Sequence, residues 1–119
     1  GIASALIYPP GSYAGERELT VMAEAMAPWQ GAYITHLRSE GGRLLEATGE
    51  ALRIGRTANV PVIVYHLKAT GRCNWPKAAR AVATIDSARG AGQDVTATMY
   101  PYAASGNNLA GGIVPEWAE

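Results

Sequence analysis

Short apolar runs alternate with longer amphipathic ones along this chain, and that alternation limits the fold more than any other feature. Ile2 to Tyr8 reads as a first strand, closed by Pro9-Pro10-Gly11, through which neither strand nor helix continues. Glu16 to Ala27 reads as a helix with Leu19, Met22, Ala23 and Met26 on one face and Pro28 as its stop. Ala32 to Leu37 is a second apolar run. Gly41 to Ala58 is the clearest helix, because Leu44, Ala47, Ala51, Ile54 and Ala58 recur at helical spacing. Val60 to Leu67, rich in β-branched residues, is the best strand. After a loop with Gly71 and Cys73, Asn74 reads as an N-cap with Pro76 in the first turn. The buried face there is Ala78, Val82, Ile85 and Ala88 or Arg89, and Gly90 and Gly92 end the helix. Asp94 to Tyr100 is a fourth strand, closed by Pro101, and residues 103–119 read as loop.

The order β-α-β-α-β-α-β with apolar strands indicates an α/β fold, a parallel sheet with right-handed crossovers. The 119 residues make one domain. A complete (β/α)8 barrel takes about 250 residues, so the expectation is a small open sheet or about half a TIM barrel. Naked parallel edges favour pairing with another chain, so a homo-oligomer is one expectation. Hydrophobic residues make up 48% of the chain, enough for a packed core. Ten basic and ten acidic residues balance, with no basic run, which argues against a nucleic-acid partner. No apolar run approaches the roughly 20 residues of a membrane span. Gly1 to Tyr8 lacks the basic flank of a signal peptide, and one Cys makes no internal disulfide, so a cytoplasmic setting is expected.

Thr35-His36-Leu37-Arg38 recurs thirty residues later as Tyr65-His66-Leu67-Lys68, which is one βα unit. Each His therefore falls at the carboxyl end of a strand, where sites of parallel α/β folds lie. Neighbouring strands are about 4.8 Å apart, so both imidazoles can reach one metal ion. Two ordinary strand-end histidines are the other reading, since zinc sites usually hold three protein ligands and a water. Cys73 is a candidate third ligand or a loop thiol with no role. Arg38 and Lys68 lie two residues past each His and share its side if the strands continue. A cation there suits a substrate carboxylate; solvated loop charges are the alternative. Glu40 is either an orienter of His36 or Arg38, or a helix N-terminal charge. The hydroxyls of Tyr100, Tyr102 and Ser105 could bond a ligand or belong to an ordinary turn. Gly41-Gly42 resembles an anion-binding turn but carries no dinucleotide or Walker pattern.

Several ordered motifs then combine: Leu6-Ile7-Tyr8-Pro9-Pro10-Gly11, Tyr33-Ile34-Thr35-His36-Leu37-Arg38-Ser39-Glu40, Leu44-Leu45-Glu46-Ala47, Val60-Pro61-Val62, His66-Leu67-Lys68, Asn74-Trp75 and Met99-Tyr100-Pro101-Tyr102. Together they resemble the N-acyl-D-amino-acid deacylases (D-aminoacylases) of the amidohydrolase superfamily. The resemblance implies a distorted TIM barrel with zinc at the carboxyl ends of its strands. It implies that His36 and His66 are the zinc-binding histidines of the fifth and sixth strands, and that Lys68 contacts substrate. It places Tyr8, Tyr100 and Ser105 in the pocket or at the substrate carboxylate. The implied reaction is hydrolysis of N-acyl-D-amino acids, small-molecule substrates, by a zinc-activated water.

The family also has a His-x-His pair on its first strand, a Cys ligand upstream and a catalytic Asp on its last strand. These have no counterpart in the 119 residues, and Cys73 lies in the wrong segment to be that ligand. Thr98 stands where the family usually carries Asp, and Pro76 where Gly commonly follows the Trp. The chain therefore corresponds to the central third or so of such an enzyme, strands four to seven, with half a site. Two further readings stand beside it. One is a non-catalytic α/β module that oligomerises through open edges and binds a ligand or metal weakly. The other is a small open-sheet protein that shares the motifs.

Overall fold

In the computed structural model, residues 1–106 are described. They form four parallel strands and three helices: β1 (Ile2–Ala5), α1 (Glu16–Glu24), β2 (Tyr33–His36), α2 (Leu44–Ala58), β3 (Val62–Val64), α3 (Pro76–Gly90) and β4 (Val95–Ala97). The sheet order is β1-β2-β3-β4, every pair is parallel, and each strand lies beside its neighbour in sequence. This is the expected α/β architecture. Among the described residues no helix is long and apolar enough to cross a membrane. The part of the expected loop beyond residue 106 lies outside the described residues; 103–106 hold no helix or strand.

The helices cover one face of the sheet. In register, Tyr33 pairs with Val62 and Val62 with Val95, and all three are buried. Leu44, Ala47, Ala51, Ile54 and Ala58 of α2 are all buried against them, as their spacing predicted. Gly55 lets α2 approach β3 closely: a Cβ there would collide with the Val62 side chain. Ile34 and Ile63 point to the other face and are only half-buried, and Ala3 and Thr96 are exposed.

Element ends differ from the expectations for identifiable reasons. α1 stops at Glu24 rather than Ala27, because Ala27–Trp29 tightens into a 3-10 turn around Pro28 and Gln30 turns left-handed. α2 begins at Leu44 rather than Gly41. The Ser39 hydroxyl accepts from the Gly41 and Arg43 N–H groups and holds 41–43 as a turn. Asn74 is not the N-cap of α3. Its side chain is spent on the Thr70 carbonyl and the Lys77 ammonium, and Trp75 precedes Pro76 instead. The buried face of α3 is Ala81, Ile85 and Ala88, while Val82 is 48% exposed; Met22 of α1 is likewise exposed. The strands are shorter than the apolar runs, since those runs continue into strand-end loops that carry the site.

Candidate metal centre

All four strands deliver residues to one end of the sheet. Tyr8 follows β1, His36 ends β2, His66 follows β3 and Tyr100 follows β4. They meet in an open cleft of about 1380 Å³, which Lys68 and Ser105 also line. The His36 and His66 rings are 4.5 Å apart, near the strand spacing, as the thirty-residue repeat predicts. Tyr8 packs edge-on to His36 at 5.5 Å, and Tyr100 lies 6.1 Å from His66.

His36 is held from behind. Its Nδ1–H donates to the Leu37 carbonyl at 3.0 Å, which leaves the Nε2 lone pair facing the cleft. Beneath it the Ser4 hydroxyl donates to Thr35 Oγ1 and the Thr35 hydroxyl donates to the His36 carbonyl, with the Tyr33 hydroxyl 2.9 Å from Ser4 Oγ. Burial pushes the Tyr33 phenol above its ordinary pKa. His66 is held differently. Its φ is +35°, a left-handed conformation uncommon for a residue with a side chain. The Thr98 hydroxyl fixes it by accepting the His66 N–H at 2.8 Å. Thr98 is the position where the resemblance anticipated Asp; its hydroxyl oxygen serves that backbone group.

Glu40 sits between the two rings. Its Oε1 is 3.6 Å from His36 Nε2 and 3.3 Å from His66 Nδ1, and the residue is 8% exposed. The ligand atoms of His36, Glu40 and His66 all lie within 4.8 Å of one another. Two imidazoles and a carboxylate are a donor set that suits zinc. Glu40 was expected to orient His36 or Arg38, or to serve the helix; its place beside both histidines follows from the long-range pairing of Thr70 N–H with the Glu40 carbonyl at 2.7 Å. No periodic signal marks that. Cys73 is exposed and stands outside the group.

The two cations part company. Lys68 faces the site: its ammonium donates to Glu40 Oε1 and to His66 Nδ1. Arg38 lines the cleft, but its guanidinium turns to α2. It makes a bidentate pair with Glu50 and donates to the Ser12 and Ala14 carbonyls at 2.8 and 2.7 Å. β2 has ended at His36, so strand alternation no longer governs residue 38. Ser105 and Tyr102 line the cleft and are exposed.

No family model matches the sequence. The chain is 35% identical over 119 residues to an N-acyl-D-glutamate deacylase of Alcaligenes xylosoxydans xylosoxydans, matching all of this chain and 24% of that protein. A D-aminoacylase of the same organism is 35% identical over 109 residues, 92% of this chain and 22% of its own length. Among solved structures, a D-aminoacylase described as defining a subset of amidohydrolases superposes with a TM-score of 0.81 at 36% identity, over 86% of this chain and 21% of its own. An N-acyl-D-glutamate deacylase from Bordetella bronchiseptica, complexed with zinc and a phosphonate inhibitor, gives 0.81 at 33% identity over 84% of this chain. The chain thus spans about a quarter of the relatives' length rather than the third expected from the motifs. Over that span it is similar to the D-aminoacylases, and its α/β sheet matches a segment of their amidohydrolase TIM-barrel fold.

Proposed function

We propose that this chain provides part of the metal and substrate site of a zinc-dependent hydrolase of N-acyl-D-amino acids. The observation that supports this best is the convergence of His36, Glu40 and His66 at the carboxyl end of a parallel sheet. A zinc ion held there by His36 and His66 would supply Lewis-acid polarisation of the acyl carbonyl and an acidified water. The chain's own residues do the positioning. Leu37 fixes the His36 imidazole, and Thr98 fixes the backbone that carries His66. Lys68 brings a cation to meet the substrate carboxylate, with Tyr8, Tyr100 and Ser105 as the walls that orient it. Arg38 braces the turn after Tyr8 against α2, and so holds that wall in place.

Metal content of the purified protein, by mass spectrometry, tests this beside a His36→Ala/His66→Ala variant. The expected result is stoichiometric zinc in the parent and none in the variant. Equal metal in both proteins would falsify the site. A second reading has its own support: β1 and β4 are the outer strands among the described residues, with no partner on their far sides. Association through these edges would complete a barrel, and light scattering would show it as a mass above the monomer's.

A further inference from the structure

Lys68 places its charge where the ligand atoms converge. Its Nζ donates to Glu40 Oε1 and to His66 Nδ1 at 2.9 Å, and lies 3.3 Å from the His66 carbonyl. Glu40 Oε1 is itself 3.3 Å from His66 Nδ1 and 3.6 Å from His36 Nε2. Bonds of about 2.0–2.1 Å to a tetrahedral zinc put neighbouring ligand atoms about 3.3 Å apart. The carboxylate is therefore spaced from each imidazole nitrogen much as two ligands of one ion are. The ammonium engages lone pairs of two of them. A divalent cation needs those same lone pairs and repels the ammonium at such range. The Tyr100 ring, with its centroid 5.4 Å from Nζ, offers a second perch by cation–π attraction.

We infer that Lys68 and the metal compete for Glu40 and His66, so that metal loading turns the Lys68 ammonium toward Tyr100 and the cleft, free to take an anion. This rests on the metal reading proposed above. Two consequences follow from the competition. Apparent metal affinity is reduced by the fraction of molecules in which the ammonium holds the pair. Metal and a carboxylate ligand bind with positive coupling, because the metal releases the group that the carboxylate needs.

Zinc affinity, measured against a chromogenic chelator, tests this on the parent and on Lys68→Met. The variant is expected to bind zinc about tenfold tighter, the factor for a pair held about nine-tenths of the time. A second measurement uses the parent alone: acetylation of the Lys68 amine, followed by mass spectrometry, should rise several-fold when zinc is added. Should Lys68→Met fail to fold, the labelling decides by itself. Equal or weaker zinc binding by a folded Lys68→Met overturns the inference and leaves the metal centre standing, and so does labelling that zinc leaves unchanged or lowers. Absence of saturable zinc in both proteins removes the metal centre and this competition together. Zinc taken up by Lys68→Met but not by the parent supports the competition strongly.

Discussion

His36-Leu37-Arg38 and His66-Leu67-Lys68 are near copies in sequence and do different work in the fold. The first triplet leaves a regular strand: His36 ends β2 with extended backbone, Leu37 is buried, and Arg38 swings to the helix layer. The second leaves its strand early. β3 ends at Val64, and His66 adopts a left-handed φ pinned by Thr98. That bend sends Lys68 back across its own His toward Glu40. The difference teaches that a His-x-cation repeat fixes where the imidazoles go but not the cations. The imidazoles are set by the strand ends, whereas each cation is set by whichever carboxylate the local backbone lets it reach. Arg38 has the forked group that a bidentate carboxylate pair demands, and Lys68 the compact charge that fits between an imidazole and a carboxylate.

The contrast breaks most visibly at Arg38. Its partner Glu50 has a side chain only 12% exposed, and two backbone carbonyls of the 12–14 turn depend on the same guanidinium. Removing one member of such a pair strands the other charge. Arg38→Met is expected to cost about 3 kcal/mol in urea unfolding. Because the change acts on the turn behind Tyr8, metal affinity should fall much less than stability does. If the stability loss is under about 1 kcal/mol, the two triplets are not the structural and functional counterparts described here.

How much of this was legible in the sequence differs between the same regions. The strand order, the parallel sheet and the buried face of α2 follow from periodicity, because Leu44 through Ala58 obey a single helical repeat with no competing constraint. The histidine pair follows from a repeat one βα unit long. Glu40 does not, since it sits in an irregular segment between β2 and α2, and its approach to His66 is set by chain crossing at Thr70. Arg38 shares the side of His36 only if strand alternation runs past residue 36, and β2 stops there. In α3, helical spacing puts Val82 on the face with Ala78 and Ile85; the helix turns Ala81 inward instead, where a small residue allows close packing. Asn74 has cap chemistry, but long-range partners took its side chain first.

The support beneath the first triplet sharpens the comparison with a smaller effect. The Tyr33 hydroxyl ends the Ser4–Thr35 chain that reaches the His36 carbonyl; the second triplet has Thr98 instead. Tyr33→Phe is expected to cost about 1 kcal/mol, the net worth of one buried hydrogen bond. Burial raises the folded-state pKa of Tyr33 above its ordinary value. Its stabilising contribution is therefore complete below the unfolded phenol's pKa, about 10, and is lost as pH rises through the folded value. Parent stability should drop on the alkaline side more steeply than that of Tyr33→Phe. Parallel alkaline limbs for the two proteins would mean that Tyr33 ionises no differently when folded.

The least effect is expected where a similar forked pair meets water. Arg53 of α2 makes two hydrogen bonds to Glu16 of α1, at 2.9 and 2.8 Å, much as Arg38 does to Glu50. Here the side chains are 54% and 41% exposed rather than 25% and 12%. Water screens the attraction and solvates either partner once the other is gone, so nothing is stranded by a deletion. The Arg53 guanidinium, chiefly by hydrogen bonding, holds the Glu16 carboxyl below its ordinary pKa. That contribution is present above the unfolded carboxyl's pKa and fades as pH falls through the folded one. Arg53→Met should therefore cost about 0.5 kcal/mol at neutral pH, with the gap to the parent closing in acid. The same substitution at Arg38 and Arg53 thus separates charge pairing from burial. If both variants lose equal stability, pairing alone sets the value of these bridges, and the placement of Arg38 beneath the site has no special weight. If Arg38→Met loses several times more, desolvation makes that bridge the brace of the first triplet.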